Sequence, residues 1–151
     1  MTDKTFPKLD ITPYWDSVQD DLLRIVNLIP QDKMNWSPKP ELWNSQGILI
    51  HVSDARDQWM TRDVQDGEPY RNLWTAARTK DDLKRELVRT YERMKRFLAN
   101  QSRLDGPHQS EWRGDYTGHW IAFHLLEHDI HHRAELMQRL ALLGIEHEID
   151  L

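Results

Sequence analysis

The chain has 151 residues, which is enough for a single domain (residues 1–151) that buries its own core. It contains no cysteine, so disulfides and thiolate metal sites are excluded, and any thiol chemistry would need a thiol from outside the chain. The formal net charge of -5 argues against a nucleic-acid partner, whose binding groove normally shows as a basic patch.

The start of the chain carries no sign of export or membrane insertion. The first ten residues, MTDKTFPKLD, contain no apolar run that could act as a signal peptide. No segment of the chain approaches the roughly 20 apolar residues that a membrane span needs. We therefore expect a cytoplasmic protein with no membrane partner.

Two amphipathic helices are predicted in the first half of the chain. The first covers Thr12–Ile29, with Thr12 as its N-cap. Its apolar residues recur at helical spacing and are predicted to face the core: Tyr14, Val18, Leu22, Ile25 and Ile29. The second helix has Ser45 as its N-cap and reaches about Gln65, and His51 lies beside its apolar face.

Two more helices are predicted in the second half. The third covers Thr79 to about Ala99, where Asp82 at the third position after Thr79 resembles a capping box. A polar connection, Asn100 to about Thr117, follows, and no strand is predicted there because apolar and polar residues do not alternate. The fourth helix covers Thr117–Leu143, with Gly144 as its stop. Four such helices predict an all-α four-helix bundle.

Two histidines occupy the core-facing stripe of the fourth helix. At ~100° per residue, seven side chains share a stripe about 120° wide. They are Ile121, Leu125, His128, His132, Leu136, Leu140 and Leu143. Burying two imidazoles costs free energy unless each nitrogen finds a partner. Because residues i and i+4 lie one above the other on a helix, His128 and His132 can bind the same ion.

A metal site needs a third ligand from another helix, because two imidazoles alone bind weakly. His51 is the only histidine in the first three predicted helices, and it flanks the apolar face of the second. Three imidazoles with a position left for water are typical of a catalytic zinc site. We therefore expect one divalent ion at His51, His128 and His132. The donor set alone does not choose among zinc, nickel, iron, manganese and copper.

Three further residues lie at the edge of the same stripe and are candidate catalytic residues: His124, His131 and Glu135. We interpret His124 and His131 first as the lining of a pocket and second as alternative ligands. Glu135 could orient an imidazole, accept a proton, or pair with Arg139 four residues later. The sequence does not choose among these roles.

The opposite face of the fourth helix is also apolar. Its members are Phe123, Leu126, Ile130, Ala134, Met137 and Ala141. A helix that is apolar on two faces is buried on both, by its own bundle or by a second subunit. We expect a homodimer through this face, because two-fold dimers are the commonest assembly.

At this point the chain resembles the DinB/YfiT-like superfamily of metal-binding four-helix proteins. The resemblance is carried by HLLEHDIHHRAEL, which covers His124–Leu136, by the LALLG that ends the fourth helix, and by LIPQDKMNWSPKPELWNSQGILIHV, which leads into His51. It extends from Tyr14 to Gly144. In this resemblance His51, His128 and His132 match the three metal ligands of the family, and the resemblance implies zinc or nickel as the favoured ion.

The resemblance implies a metal-dependent thiol S-transferase of the stress or detoxification type. Its co-substrate would be a low-molecular-weight thiol, which the metal would hold as thiolate, and its substrate a small-molecule electrophile. The main alternative is a non-catalytic metal-binding or partner-binding module, in which the ion stabilises the bundle. A minor alternative is a metal-dependent hydrolase, because His128 and His132 have the spacing of the helical His-Glu-x-x-His motif, with Asp129 in place of Glu.

Overall fold

Four long helices form the body of this computed structural model, which describes residues 9–110 and 114–150. The elements in chain order are α1 (Thr12–Leu28), a 3₁₀ turn (Gln31–Lys33), α2 (Ser45–Gln58) with a π-helical continuation (Trp59–Val64), α3 (Leu73–Ala76), α4 (Lys80–Leu98), α5 (Gln101–Asp105), β1 (Pro107–Ser110), β2 (Gly114–Thr117) and α6 (Gly118–Leu142). Helices α1 and α2 each pack against both α4 and α6. The all-α bundle is therefore confirmed.

Helix α1 begins with a different cap from the predicted one. Thr12 is already helical, and Ile11 stands at the N-cap position without a side-chain bond. The carboxylate of Asp10 accepts a hydrogen bond from the backbone N–H of Thr12 at 2.9 Å, and so supplies the oxygen expected from Thr12. The predicted stripe also needs one correction, because Tyr14 is exposed and Trp15 is buried in its place.

Helix α2 has Asn44 as its N-cap, not Ser45 as predicted. The side chain of Asn44 accepts a hydrogen bond from the N–H of Gly47 at 2.8 Å, while Ser45 is buried as the first helical residue. After Gln58 the helix continues as the π-helical segment. It ends where Gln65 adopts a left-handed backbone with φ 53°, close to the predicted end.

The capping box of α4 is confirmed. The Thr79 hydroxyl accepts from the N–H of Asp82 at 3.1 Å, and the Asp82 carboxylate accepts from the N–H of Thr79 at 2.9 Å. Backbone hydrogen bonds from Arg78 and Thr79 lower the pKa of Asp82 to about 2. The carboxylate therefore stays charged at the positive end of the helix dipole.

The connection between α4 and α6 contains more structure than predicted. It holds the short helix α5 and an antiparallel hairpin of β1 and β2. The prediction of no strand was wrong, since each strand has only four residues and its pairing does not depend on an apolar face. Where α6 begins, a Cβ on Gly118 would lie 2.2 Å from the carbonyl oxygen of Arg103, so this close contact with α5 requires glycine.

Helix α6 ends as predicted, because Gly144 adopts a left-handed backbone with φ 69°. Its second apolar face is divided in this chain. Leu126 is buried in the chain's own core, whereas Phe123 is 48% exposed. The homodimer through this face stays a prediction.

Within residues 9–110 and 114–150, none of the helices combines the length and the apolar character that crossing a membrane requires.

Candidate metal centre

Three imidazoles from two helices meet between α2 and α6. His128 and His132 lie one turn apart on α6, with ring centroids 4.5 Å apart. The ring of His51, from α2, lies 4.7 Å from the first and 4.9 Å from the second. One ligand-capable nitrogen from each ring lies within 4.8 Å of the others. The structure thus brings together the three residues that the sequence analysis proposed as ligands.

The spacing of these nitrogens suits a tetrahedral ion. Zinc–nitrogen bonds of about 2.0–2.1 Å place two ligand nitrogens roughly 3.3 Å apart. Nε2 of His51 lies 2.9 Å from Nε2 of His128, and the other separations stay within 4.8 Å. Since one of two hydrogen-bonded imidazole nitrogens must accept, a lone pair already points into the cluster.

Burial keeps two of the three imidazoles, those of His51 and His132, uncharged. It is the main cause that lowers the pKa of His51 to about 4, and the neighbouring His128 and His132 lower it further. Burial also lowers the pKa of His132, and His128 adds to this effect. A metal ion binds the neutral form of imidazole. At neutral pH His51 and His132 therefore offer lone pairs without first losing a proton.

Glu135 orients one of the rings. Nδ1 of His132 donates to Oε2 of Glu135 at 2.9 Å, which leaves Nε2 of His132 as the nitrogen with the lone pair. The second carboxylate oxygen lies 3.5 Å from Nη2 of Arg139. Of the roles left open for Glu135, the structure therefore shows two together, the orienting contact and the ion pair.

Asp129 lies next to His128 but belongs to the core. Its Oδ2 accepts hydrogen bonds from Nη2 of Arg56 at 2.7 Å and from Nε1 of Trp15 at 2.7 Å. Although burial opposes ionisation, the charge of Arg56 lowers the pKa of Asp129. Its other oxygen lies 3.5 Å from Nδ1 of His128. A carboxylate committed to Arg56 is not available as the general base that the hydrolase alternative requires.

The other two candidate histidines occupy different surroundings. The ring of His131 is exposed and lies 5.0 Å from that of His132, and with Glu135 these two form a second group that could hold an ion. His124 stacks on Trp120 at 4.8 Å and packs against Trp59 at 5.1 Å. The structure thus places His131 beside the cluster and His124 in an aromatic group one turn away.

Two tryptophans beside His51 were not assigned by the sequence analysis. The ring of Trp43 lies 4.6 Å from that of His51, and Trp74 lies 5.6 Å from Trp43. Both side chains are partly in solvent, at 46% and 41% exposure. The only signal in the sequence was the high count of seven tryptophans, which does not say which of them lie together.

Comparisons with known proteins agree with this architecture. The family model described as the DinB superfamily matches residues 14–136. Among solved structures, the chain is similar to a protein assigned to the DinB family from Exiguobacterium sibiricum 255-15, with a TM-score of 0.76 and 13% identity over 93% of each chain. At that identity the likeness shows a shared fold. No curated protein matches the chain.

Proposed function

Because the chain belongs to the DinB superfamily, we propose that it binds one divalent metal ion through His51, His128 and His132 and transfers a low-molecular-weight thiol to a small electrophile. The observation that carries the proposal is the convergence of three imidazoles from two helices, with their nitrogens within 4.8 Å of one another. Zinc or nickel suits this donor set.

An ion held by His51, His128 and His132 would supply Lewis acidity, which would keep a thiol deprotonated and therefore nucleophilic at neutral pH. In the transfer, the sulfur bonds to the electrophilic carbon, the leaving group takes the electron pair of the bond that breaks, and the thiol proton passes to solvent. The chain has no cysteine, so the sulfur belongs to a co-substrate.

The residues of the chain prepare this chemistry before substrate arrives. Glu135 holds the proton on Nδ1 of His132, so that Nε2 carries the lone pair. His51 and His128 are only partly buried, so part of each residue is in contact with solvent. Solvent access supports a catalytic site over an enclosed ion that only stabilises the bundle.

The non-catalytic metal-binding or partner-binding module is the second candidate. It is supported by the burial of His132, which is 9% exposed. An ion bound to this residue would lie between packed helices, where it could stabilise the bundle. The two candidates share the ion and differ in whether a small molecule reaches it.

Metal binding is tested with untagged protein, by elemental analysis and by competition with a chromophoric chelator. We expect about one ion per chain in the wild type. His51→Ala and His132→Ala should each weaken zinc binding by more than about 100-fold, because loss of a ligand exceeds the 10–100-fold cost of losing an orienting contact. The matched control is His131→Ala, which removes an exposed neighbouring ring and should keep the wild-type affinity.

Two results would separate the parts of the proposal. Equal zinc affinity in the wild type and in His51→Ala would exclude the three-histidine site. Background rates of conjugation between a chromogenic electrophile and a panel of thiols, measured with the zinc-loaded protein, would exclude the transferase and leave the metal site standing.

A further inference from the structure

We propose that Trp43 and Trp74 form an aromatic rim beside the metal centre that binds a flat apolar group of the substrate. The inference rests on the proposed function, because it concerns what lies next to the ion when a small molecule reaches it. It narrows the substrate class to electrophiles that carry an aromatic or similarly planar group.

The position of the aromatic rim follows from two local elements. Trp43 directly precedes Asn44, the N-cap of α2, and so lies near the turn of α2 that carries His51. Trp74 lies on α3, which packs against α2. The aromatic rim is therefore held by the same helix that presents one of the three imidazoles.

The angles between the rings form a corner. Trp43 meets His51 at 69°, and Trp74 meets Trp43 at 69°. Aromatic rings prefer edge-to-face or offset contacts at centroid distances of about 4.5–7 Å. Two indoles at a steep angle offer a third ring both kinds of contact, within reach of the metal centre.

The exposure of Trp43 and Trp74 indicates that the surface between their two rings is open to solvent. Two other tryptophans of the chain, Trp15 and Trp59, are buried, at 0% and 4% exposure. A single exposed aromatic residue needs no explanation. Two that touch each other beside a metal ligand leave apolar surface in water at the place where a bound group would cover it.

The nearby charges do not favour a charged ligand. Glu135 is engaged by His132 and Arg139, and Nη2 of Arg139 donates to the backbone oxygen of Trp43 at 3.5 Å. The side chain of Arg139 is 4% exposed, so its charge faces the protein. Recognition at the aromatic rim therefore rests on apolar and ring contacts, and we assign it to a planar apolar group of the small molecule instead of to a second protein.

The test uses two metal-binding probes on the zinc-loaded full-length protein. Acetohydroxamate and benzohydroxamate carry the same chelating group and differ in a methyl against a phenyl group. Calorimetry should show the phenyl probe binding at least about tenfold tighter. Trp74→Ala should remove most of this preference while keeping zinc affinity and acetohydroxamate affinity unchanged, and Trp74→Phe should restore most of it.

Trp74 is the better position to vary, because Trp43 touches a ligand and its loss could disturb the ion. The matched control is Trp120→Ala, which removes an indole of similar exposure, 43%, from the separate group around His124. This variant should keep the wild-type preference for the phenyl probe.

The possible failures are distinguishable. If the wild type does not hold zinc, or holds it without binding acetohydroxamate, the proposed function fails and the aromatic rim with it. If both probes bind zinc-loaded protein but Trp74→Ala leaves their affinity ratio unchanged, only the aromatic rim is overturned. It is also overturned if light scattering shows that Trp74→Ala separates a dimer, since the surface would then be covered by a second copy.

Discussion

Helices α2 and α6 contribute buried polar side chains to two neighbouring regions. The regions differ in how many of the hydrogen-bonding atoms of these side chains have a partner in the protein. One region is the ion pair of Arg56 and Asp129, in the middle of the bundle. The other is the histidine cluster of His51, His128 and His132. The comparison distinguishes buried polar side chains that stabilise the fold from buried polar side chains whose arrangement suits a bound ligand.

The ion pair is satisfied by the chain itself. Both side chains are fully buried, and Arg56 donates to the backbone oxygen of Leu87 at 3.1 Å and to Oε1 of Gln19 at 3.0 Å in addition to Asp129. The carboxylate of Asp129 also accepts a hydrogen bond from the indole N–H of Trp15. A buried charge is tolerated when its hydrogen bonds are made in this way.

The histidine cluster is satisfied only in part by the contacts of the described residues. Glu135 takes the Nδ1 proton of His132, and Asp129 lies at the long distance of 3.5 Å from Nδ1 of His128. The nitrogens on the inner side of the cluster face one another within 4.8 Å. Nε2 of His51 and Nε2 of His128 share one hydrogen bond at 2.9 Å, and an ion that displaced its proton would gain a lone pair from each of the three rings.

The strongest test of this contrast is Arg56→Ala. The variant leaves Asp129 charged and buried without its partner, which costs about 3–5 kcal/mol of unfolding free energy. Urea denaturation of the metal-free protein measures the loss. A cost below about 1 kcal/mol would mean that the ion pair does not hold the core together.

The matched control for this test removes both charges. Arg56→Met combined with Asp129→Leu leaves no unpaired charge, so the double variant should be more stable than Arg56→Ala alone. It still leaves the indole N–H of Trp15 without its acceptor, so recovery should be incomplete.

Much of the helical frame could be predicted because its signals are local. The capping box at Thr79 and the stop at Gly144 involve residues a few positions apart, and both are present. The hairpin of β1 and β2 gave no such signal, since four-residue strands need neither alternation nor an apolar face. The N-cap of α2 was misplaced by one residue because Asn44 and Ser45 are both good caps.

The candidate site was predictable to the extent that it follows from helical periodicity. The stripe placed His128 and His132 together, and the need for another ligand pointed to His51. The buried position of Asp129 could not be inferred, because it depends on Arg56, 73 residues away in sequence. The same reason explains why Trp43 and Trp74 were missed, as their contact depends on how α3 packs on α2.

Removal of the metal should have the next largest effect. At free zinc about 100-fold above its dissociation constant, binding contributes about 2.7 kcal/mol of stability. For a chain of this size, chelation should lower Tm by about 5–10 °C and leave the helical circular dichroism spectrum unchanged. Arg56→Ala should start from a lower Tm than the wild type and should lose a similar number of degrees on chelation, since the site of this substitution is separate from the ion.

Unfolding on chelation would reverse this interpretation. It would mean that the ion and the buried ion pair both hold the bundle together, and the non-catalytic module would then be the better description. Calorimetric scans of both proteins, with zinc and with a chelator, decide between the two outcomes.

The smallest of the three effects belongs to Glu135, at the boundary of the histidine cluster. Glu135→Gln keeps the shape of the side chain but gives Nδ1 of His132 a weaker, neutral acceptor, so zinc affinity should fall by about 10–100-fold, or about 1.4–2.7 kcal/mol. The partly exposed pair with Arg139 is also weakened, which should change the stability of the metal-free protein by no more than about 1 kcal/mol. Glu127→Gln, an exposed acid on the same helix, is the matched control and should affect neither quantity. A large loss of metal-free stability with unchanged zinc affinity would make Glu135 part of the fold, like Asp129, because a residue that only orients a ligand matters when the ion is bound.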